Sequence, residues 1–330
     1  MFNPADFKDY LPVDAVILDG RPVIEWLNLE GVDFIEPFFH QTVMKVEAGR
    51  TNLRLTTDVD ALLQMEKICD SVEPTGFIFH SSRCGSTVVA NACKSLNNAV
   101  VIAEAPIIDK IISRFFTDAE SSSTKELLYL LLLKAVVAVL GQRRAEGQRY
   151  FVKFACTSTL QMKRIHRIWP NVPSVFLYRD PVEIIVSNLR SLPEWLNSDT
   201  NPKVAAAIAG VNEHEISKLS HEEFCARAVG RFFAEADKNH SDCLRILNYN
   251  ELTPETLIAT LEFFGVKANV DEVAAIRLAS RLYSKDSTQS RTFQVDSQDK
   301  QAVASETVRF LAEKFATPFY ERLSNSHSQN

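Results

Sequence analysis

The chain has 330 residues, 46% of them hydrophobic, and carries 36 Lys and Arg against 42 Asp and Glu, a net charge of −6. That apolar content is enough for a sizeable core, and the acidic balance excludes a broad surface for nucleic acid or an acidic membrane. Any anion site has to be a local cluster of basic residues.

Residues 1–70 read as an N-terminal annex of mixed structure, in which Asp19-Gly20 marks a turn between two short apolar runs. The opening "MFNPADFKDYLPVDAV" lacks the charged start and apolar run of a signal peptide. Residues 71–330 read as the main domain. Short apolar runs, "GFIFH" (76–80), "AVVIA" (99–103), "RYFVKF" (149–154), "SVFLY" (174–178) and "CLRILNY" (243–249), alternate with helical patterns near 86–97, 106–116, 122–146, 159–169, 181–191 and 221–240. Such alternation predicts an α/β fold: a mostly parallel central sheet with helices on both faces. The apolar run "LLYLLLLKAVVAVL" (127–140) is shorter than the ~20 residues of a membrane span, so it reads as a buried helix and no span is expected. The polar stretch 191–220 reads as an irregular lid or substrate loop, and the chain is helical after residue 250, with a last helix near 299–323.

The six cysteines form no C-x-x-C pair and have no histidines at zinc spacing beside them. They read as core thiols in a reducing, cytoplasmic compartment, and no metal is expected.

Ligands of an open parallel sheet bind beyond the carboxyl ends of its strands. The first of these strands leads into "HSSRCGST", where Gly85 permits a tight turn and Ser86 and Thr87 start a helix whose free amides favour an anion. Arg83 adds a charge; the alternative is an ordinary Ser/Thr-capped helix start. The second strand delivers Glu104, a candidate general base or a helix cap. The third delivers Lys153 between Val152 and Phe154, where an ammonium needs an anion, from a ligand or a structural ion pair. The fourth delivers "YRDPVEIIVSNLR", in which Asp180 caps and Pro181 opens a helix, while Arg179 either forks onto a phosphate or pairs with Asp180 or Glu183.

With these residues in view, "FIFHSSRCGST" followed by "FLYRDPVEIIVSNLR" resembles the P-loop sulfotransferases, which take a sulfonate from 3′-phosphoadenosine 5′-phosphosulfate (PAPS) and release adenosine 3′,5′-bisphosphate (PAP). The resemblance covers roughly 76–266. It implies that Arg83, Cys84, Gly85, Ser86 and Thr87 bind the 5′-phosphosulfate and that Arg179 and Ser187 bind the 3′-phosphate, with Lys285 or Arg291 completing that site. The likeness is greater to the tyrosylprotein branch than to the cytosolic phenol and steroid enzymes, whose catalytic histidine has no obvious equivalent here. It implies Glu104 as general base, with Lys153 and Arg83 stabilising the moving sulfonate. Cys84 departs from the small hydroxyl residue usual at its position. The implied acceptor is a small molecule, carbohydrate, lipid or peptide bearing a hydroxyl or amine, with Trp195 and Phe39 read either as acceptor contacts or as core aromatics. An ATP-using P-loop kinase is the rival, but G-x-x-x-x-G-K-[ST] fails because Ser86 stands where its lysine belongs. A non-catalytic nucleotide-binding relative is the third reading.

Overall fold

A computed structural model describes residues 7–49, 54–117, 123–280 and 297–327. The annex begins with an antiparallel hairpin, β1 (Tyr10–Leu18) and β2 (Arg21–Asn28), turning at Asp19-Gly20. Helix α1 (Phe39–Gly49) follows, then β3 (Arg54–Asp58) completes a three-stranded sheet in the order β1-β2-β3, and α2 (Val59–Ile68) closes the unit.

The main sheet is built from β4 (Gly76–His80), β5 (Ala99–Ala103), β6 (Arg149–Lys153), β7 (Ser174–Tyr178) and β8 (Leu244–Asn248). Its order is β5-β6-β4-β7-β8 and every neighbouring pair is parallel. From β4 the chain crosses to the edge strand β5, comes back to β6 beside β4, and then reverses to build β7 and β8 on the other side. That reversal leaves a crevice beyond the carboxyl end of β4, between β6 and β7.

The crossovers supply α3 (Ser86–Lys94), α4 (Pro106–Thr117), α5 (Ser123–Leu140), α6 (Met162–Ile168), α7 (Pro181–Arg190), α8 (Pro202–Ala209), α9 (Glu213–Ile216) and α10 (His221–Lys238). After β8 come α11 (Pro254–Phe263), α12 (Val270–Ala279), α13 (Ser297–Val303), α14 (Glu306–Phe315) and α15 (Thr317–His327), so the predicted last helix is three helices. Strand side chains alternate between the faces. Ile78, Val101, Phe151, Val175, Leu177 and Leu247 pack with apolar residues of α3, α11 and α12. Phe77, Phe79, Ile102, Val152 and Phe176 face the other way and join α4, α5, α7 and α10 in a larger core, which also takes in the annex residues Trp26, Leu27 and Phe39. No helix among the described residues is long and apolar enough to cross a membrane.

The segment 191–220 departs from the expected irregular loop. It holds a short 3-10 turn (Glu194–Leu196), α8 and α9. The signals for α8 are local: the Asn201 side chain accepts from the Val204 amide, Pro202 opens the helix, and Gly210 ends it at φ +71°.

Candidate active site

Three strands deliver residues at their carboxyl ends into one polar cluster. Ala103 of β5 pairs with Lys153 of β6, and one residue further the Glu104 amide donates to the Lys153 carbonyl (2.7 Å). Glu104 then turns out of the strand at φ +50°, a left-handed conformation rare outside glycine. The Lys153 side chain is only 1% exposed, so its ammonium needs a counter-charge. It donates to Oε1 of Glu104 and lies 5.2 Å from the centre of the Phe38 ring. The Glu104 side chain keeps a quarter of its surface exposed, so the pair is reached from its side.

His80, the last residue of β4, is buried, and its Nε2 lies 3.4 Å from the same Oε1. Burial pushes the Glu104 carboxyl up, but the charge of Lys153 and then the contact with His80 outweigh it and hold the group well below the usual carboxylate range. Glu104 is thus ionised at neutral pH and a weak base while the pair stands. Asp109, in the first turn of α4, has Oδ1 buried without a hydrogen-bond partner among the described residues. Burial first, and then the charge of Glu104, push its carboxyl well above the ordinary value, with the charge of Lys153 opposing them.

The second feature is the turn between β4 and α3. Ser82 and Arg83 adopt φ +71° and +48°, and Gly85, which caps α3, adopts φ +83°. A Cβ on Gly85 would stand 2.5 Å from Leu252 Cδ1 and 3.0 Å from Tyr249 Cδ2, so both backbone and space call for glycine. Ser86 and Thr87 are buried in the first turn of α3, whose free amides open onto this loop. The Cys84 side chain is sealed: its Sγ sits 3.2 Å from the Leu177 carbonyl of β7, the same oxygen that accepts from the Ser81 amide (3.0 Å) and hydroxyl (3.2 Å). Burial pushes its thiol up.

Arg83 does not join Lys153 and Glu104 in a shared bond. Its guanidinium reaches the end of α7, with Nε 3.3 Å from Asn188 Oδ1 and Nη2 2.9 Å from the Ser191 carbonyl. Asn188 is fully buried and also accepts from the Ser82 hydroxyl (3.0 Å), which makes it a junction between loop and helix.

Across β4 from Lys153, Arg179 follows β7 and is 4% exposed. Its Nε donates to Glu183 Oε2 (2.5 Å), one Nη donates to Ser297 Oγ (3.0 Å), and the guanidinium lies 3.8 Å from the centre of the Tyr249 ring. The structural alternative for Arg179, pairing with Glu183, is therefore realised. Asp180 caps α7 by accepting from the Glu183 amide (3.1 Å), with Pro181 in the first position. Ser187 is half-buried one turn beyond Glu183, so Glu183 and Ser187 share a helix face. Lys285 and Arg291 lie outside the described residues.

Of the two aromatic candidates, Phe39 is 2% exposed and stacks on Phe34 at 5.8 Å, while Trp195 packs edge-on against Phe224 and Phe232, both at 5.9 Å. Phe39 is thus a core aromatic, while Trp195 packs against the core and stays half-exposed. The annex reaches the cluster through Phe38 instead. Lys94, at the end of α3, fastens this segment by donating to the Ile35 (3.4 Å) and Glu36 carbonyls; burial, then the charge of Lys153, push its ammonium down to about 8. His80, Asp109, Asn188, Phe38 and Lys94 were not singled out from the sequence. Only His80, as the last residue of an apolar strand, carried a positional signal.

No protein-family model matches the chain, and no curated protein does. Solved structures similar to it include the sulfotransferase STF9 from Mycobacterium avium (13% identity, 74% of this chain and 79% of that one, TM-score 0.41). Another is the sulfotransferase domain of the Synechococcus PCC 7002 olefin synthase (16%, 75% and 96%, TM-score 0.43). A third is a retinol dehydratase in complex with androsterone and the inactive cofactor PAP (13%, 81% and 84%, TM-score 0.33). Likeness at this level assigns the chain neither a donor nor an acceptor.

Proposed function

We propose that this chain transfers a sulfonate group from PAPS to an acceptor hydroxyl or amine. The observation that carries the reading is the Glu104–Lys153 pair at the carboxyl ends of adjacent strands, beside a phosphate-type loop without the nucleotide-hydrolase lysine. A buried arginine stands on the other side of that loop. Residues 71–330 would carry donor binding: the turn from Arg83 to Thr87 for the 5′-phosphosulfate, and Arg179 with Ser187 for the 3′-phosphate. The annex, residues 1–70, would face the acceptor.

In the proposed reaction the acceptor oxygen or nitrogen forms a bond to sulfur while the bond from sulfur to the phosphate oxygen of PAPS breaks, leaving PAP. Glu104 receives the acceptor's proton. Lys153 exchanges its pairing with Glu104 for the sulfonate and leaving phosphate, and the loop amides and Arg83 add to the charge it meets. Removing Lys153 from Glu104 removes the charge that holds the carboxyl low, so the base gains proton affinity as the anion takes its partner. A likeness to the tyrosylprotein branch supports Glu104 as base on the quoted motifs alone.

The test has two arms. PAP without metal should raise the melting temperature, by an amount equivalent to about 2.7 kcal/mol at a hundredfold excess over Kd, and ATP with magnesium should not. Labelled PAPS should then transfer to one class among phenols, sugars, lipids and tyrosine peptides. Stabilisation by ATP–magnesium alone would support the kinase reading, and PAP binding without transfer to any class would support the non-catalytic one.

A further inference from the structure

We propose that His80 is a positioning residue: the phosphate loop fixes its ring through Nδ1, and the ring in turn fixes the Glu104 carboxylate through Nε2. The proposal rests on the sulfonate-transfer reading, in which Glu104 is the base.

His80 is 5% exposed and ends the central strand, where Thr159 Oγ1 bonds its carbonyl (3.3 Å). The Ser82 amide, two residues on and at φ +71°, donates to Nδ1 (3.2 Å). A nitrogen that accepts from an amide carries no proton, so the neutral ring carries its proton on Nε2. That nitrogen faces Oε1 of Glu104 at 3.4 Å, long and imperfectly aligned for an N–H···O bond. Such contacts tighten when a site is loaded.

Lys153 and His80 converge on Oε1. The two carboxylate oxygens therefore have separate tasks: Oε1 is the anchored one, and Oε2 is left to take the acceptor's proton. The division matters once Lys153 turns to the sulfonate. His80 then remains as the donor that keeps the carboxylate from swinging. The arrangement also takes the Ser82 amide out of the set that could hold the anion, so contacts to the phosphosulfate begin at Arg83. It ties the conformation of the loop to the aim of the base.

Two substitutions separate the halves of this link. Glutamine places an amide donor near Nε2, and asparagine places an acceptor near Nδ1. His80→Gln should keep PAP release from labelled PAPS within a few-fold of the wild type. His80→Asn, which keeps the loop bond and drops the donor, should lower kcat about 10- to 100-fold, the size seen for outer-shell partners of metal-bound histidines, with KM and PAP affinity unchanged. A normal His80→Asn beside an impaired His80→Gln would overturn the proposal and leave His80 a loop support. A third readout needs no turnover: long-range ¹H–¹⁵N spectra should show the Nε2–H tautomer, with its Nε2 signal moving in Glu104→Gln. An Nδ1–H tautomer, or a signal indifferent to Glu104→Gln, would equally overturn it. If PAP fails to bind and PAPS is never consumed, the sulfonate-transfer reading falls instead, while the spectra still decide the geometry of His80.

Discussion

Glu104 and Lys153 meet because the ladder between their strands delivers one to the other. Ala103 pairs with Lys153, the Glu104 amide bonds the Lys153 carbonyl at 2.7 Å, and the left-handed turn at Glu104 brings its carboxylate back over the lysine. A buried ammonium and a carboxylate a quarter exposed then neutralise each other at the carboxyl ends of β5 and β6.

Replacing Glu104 by glutamine should leave PAP binding intact and lower turnover about 10²- to 10⁴-fold, as for loss of a general base. The same variant carries a pH signature. The folded carboxyl titrates below its ordinary 4.5, so between the two values the unfolded chain binds more protons than the folded one. The stability this group contributes is fully present above 4.5 and is lost as pH falls. Melting curves of Glu104→Gln should therefore decline less steeply than the wild type from about pH 5 to about pH 3. Parallel declines would show that the pair adds nothing to the fold.

Asp109 works with the opposite sign. Its folded carboxyl titrates above the ordinary 3.8, so the folded chain holds a proton that the unfolded chain releases, and stability falls as pH rises through that window. Asp109→Asn keeps the shape and an acceptor oxygen without the titration. It should raise the melting temperature at pH 7 and change it little near pH 4. A loss at pH 7 would show that the buried carboxyl is ionised and used.

Glu183 competes for the guanidinium that the 3′-phosphate is proposed to use. Glu183→Gln keeps the side-chain size and removes the charge held 2.5 Å from Arg179. PAP affinity by calorimetry should rise by about 1 kcal/mol, or roughly fivefold, while Arg179→Ala should lower it. Weaker binding in Glu183→Gln would assign Glu183 to orienting Arg179 instead of screening it.

At Gly85 two costs coincide, a left-handed backbone and a 2.5 Å approach to Leu252. Gly85→Ala should lose roughly 1–3 kcal/mol of stability from strain and abolish the response to PAP. Adding Leu252→Ala opens space without relieving the backbone, so recovery should be partial. Full recovery of stability and binding would mean that φ +83° costs nothing there.

The main sheet was legible because its strands are buried on both faces. "GFIFH", "AVVIA" and "SVFLY" are uninterrupted apolar runs, and the folded strands occupy the same residues. The loop was legible from Gly85 and the serine and threonine after it, a purely local pattern. The segment 191–220 was misread although Asn201, Pro202 and Gly210 bracket a helix, because its polar flanks and prolines outweighed a short alanine-rich core. Phe39 and Trp195 are aromatic in sequence, but only packing tells which face of an element is inside. The annex turns Phe39 inward and leaves Phe38 beside Lys153.

By itself, the sequence determined the strands of the main sheet, the starts of the helices that follow them and the charged residues at their ends, since hydrophobic periodicity, capping and turn chemistry act over a few neighbouring residues. Tertiary structure alone decided the partners. Arg179 is paired with Glu183, Arg83 is drawn to Asn188 and Ser191, Cys84 is sealed on the Leu177 carbonyl, and His80 is set between the Ser82 amide and Glu104. Most of those contacts join residues from different strands, loops and helices, and which of them meet is fixed by the order in which the other four strands assemble about β4.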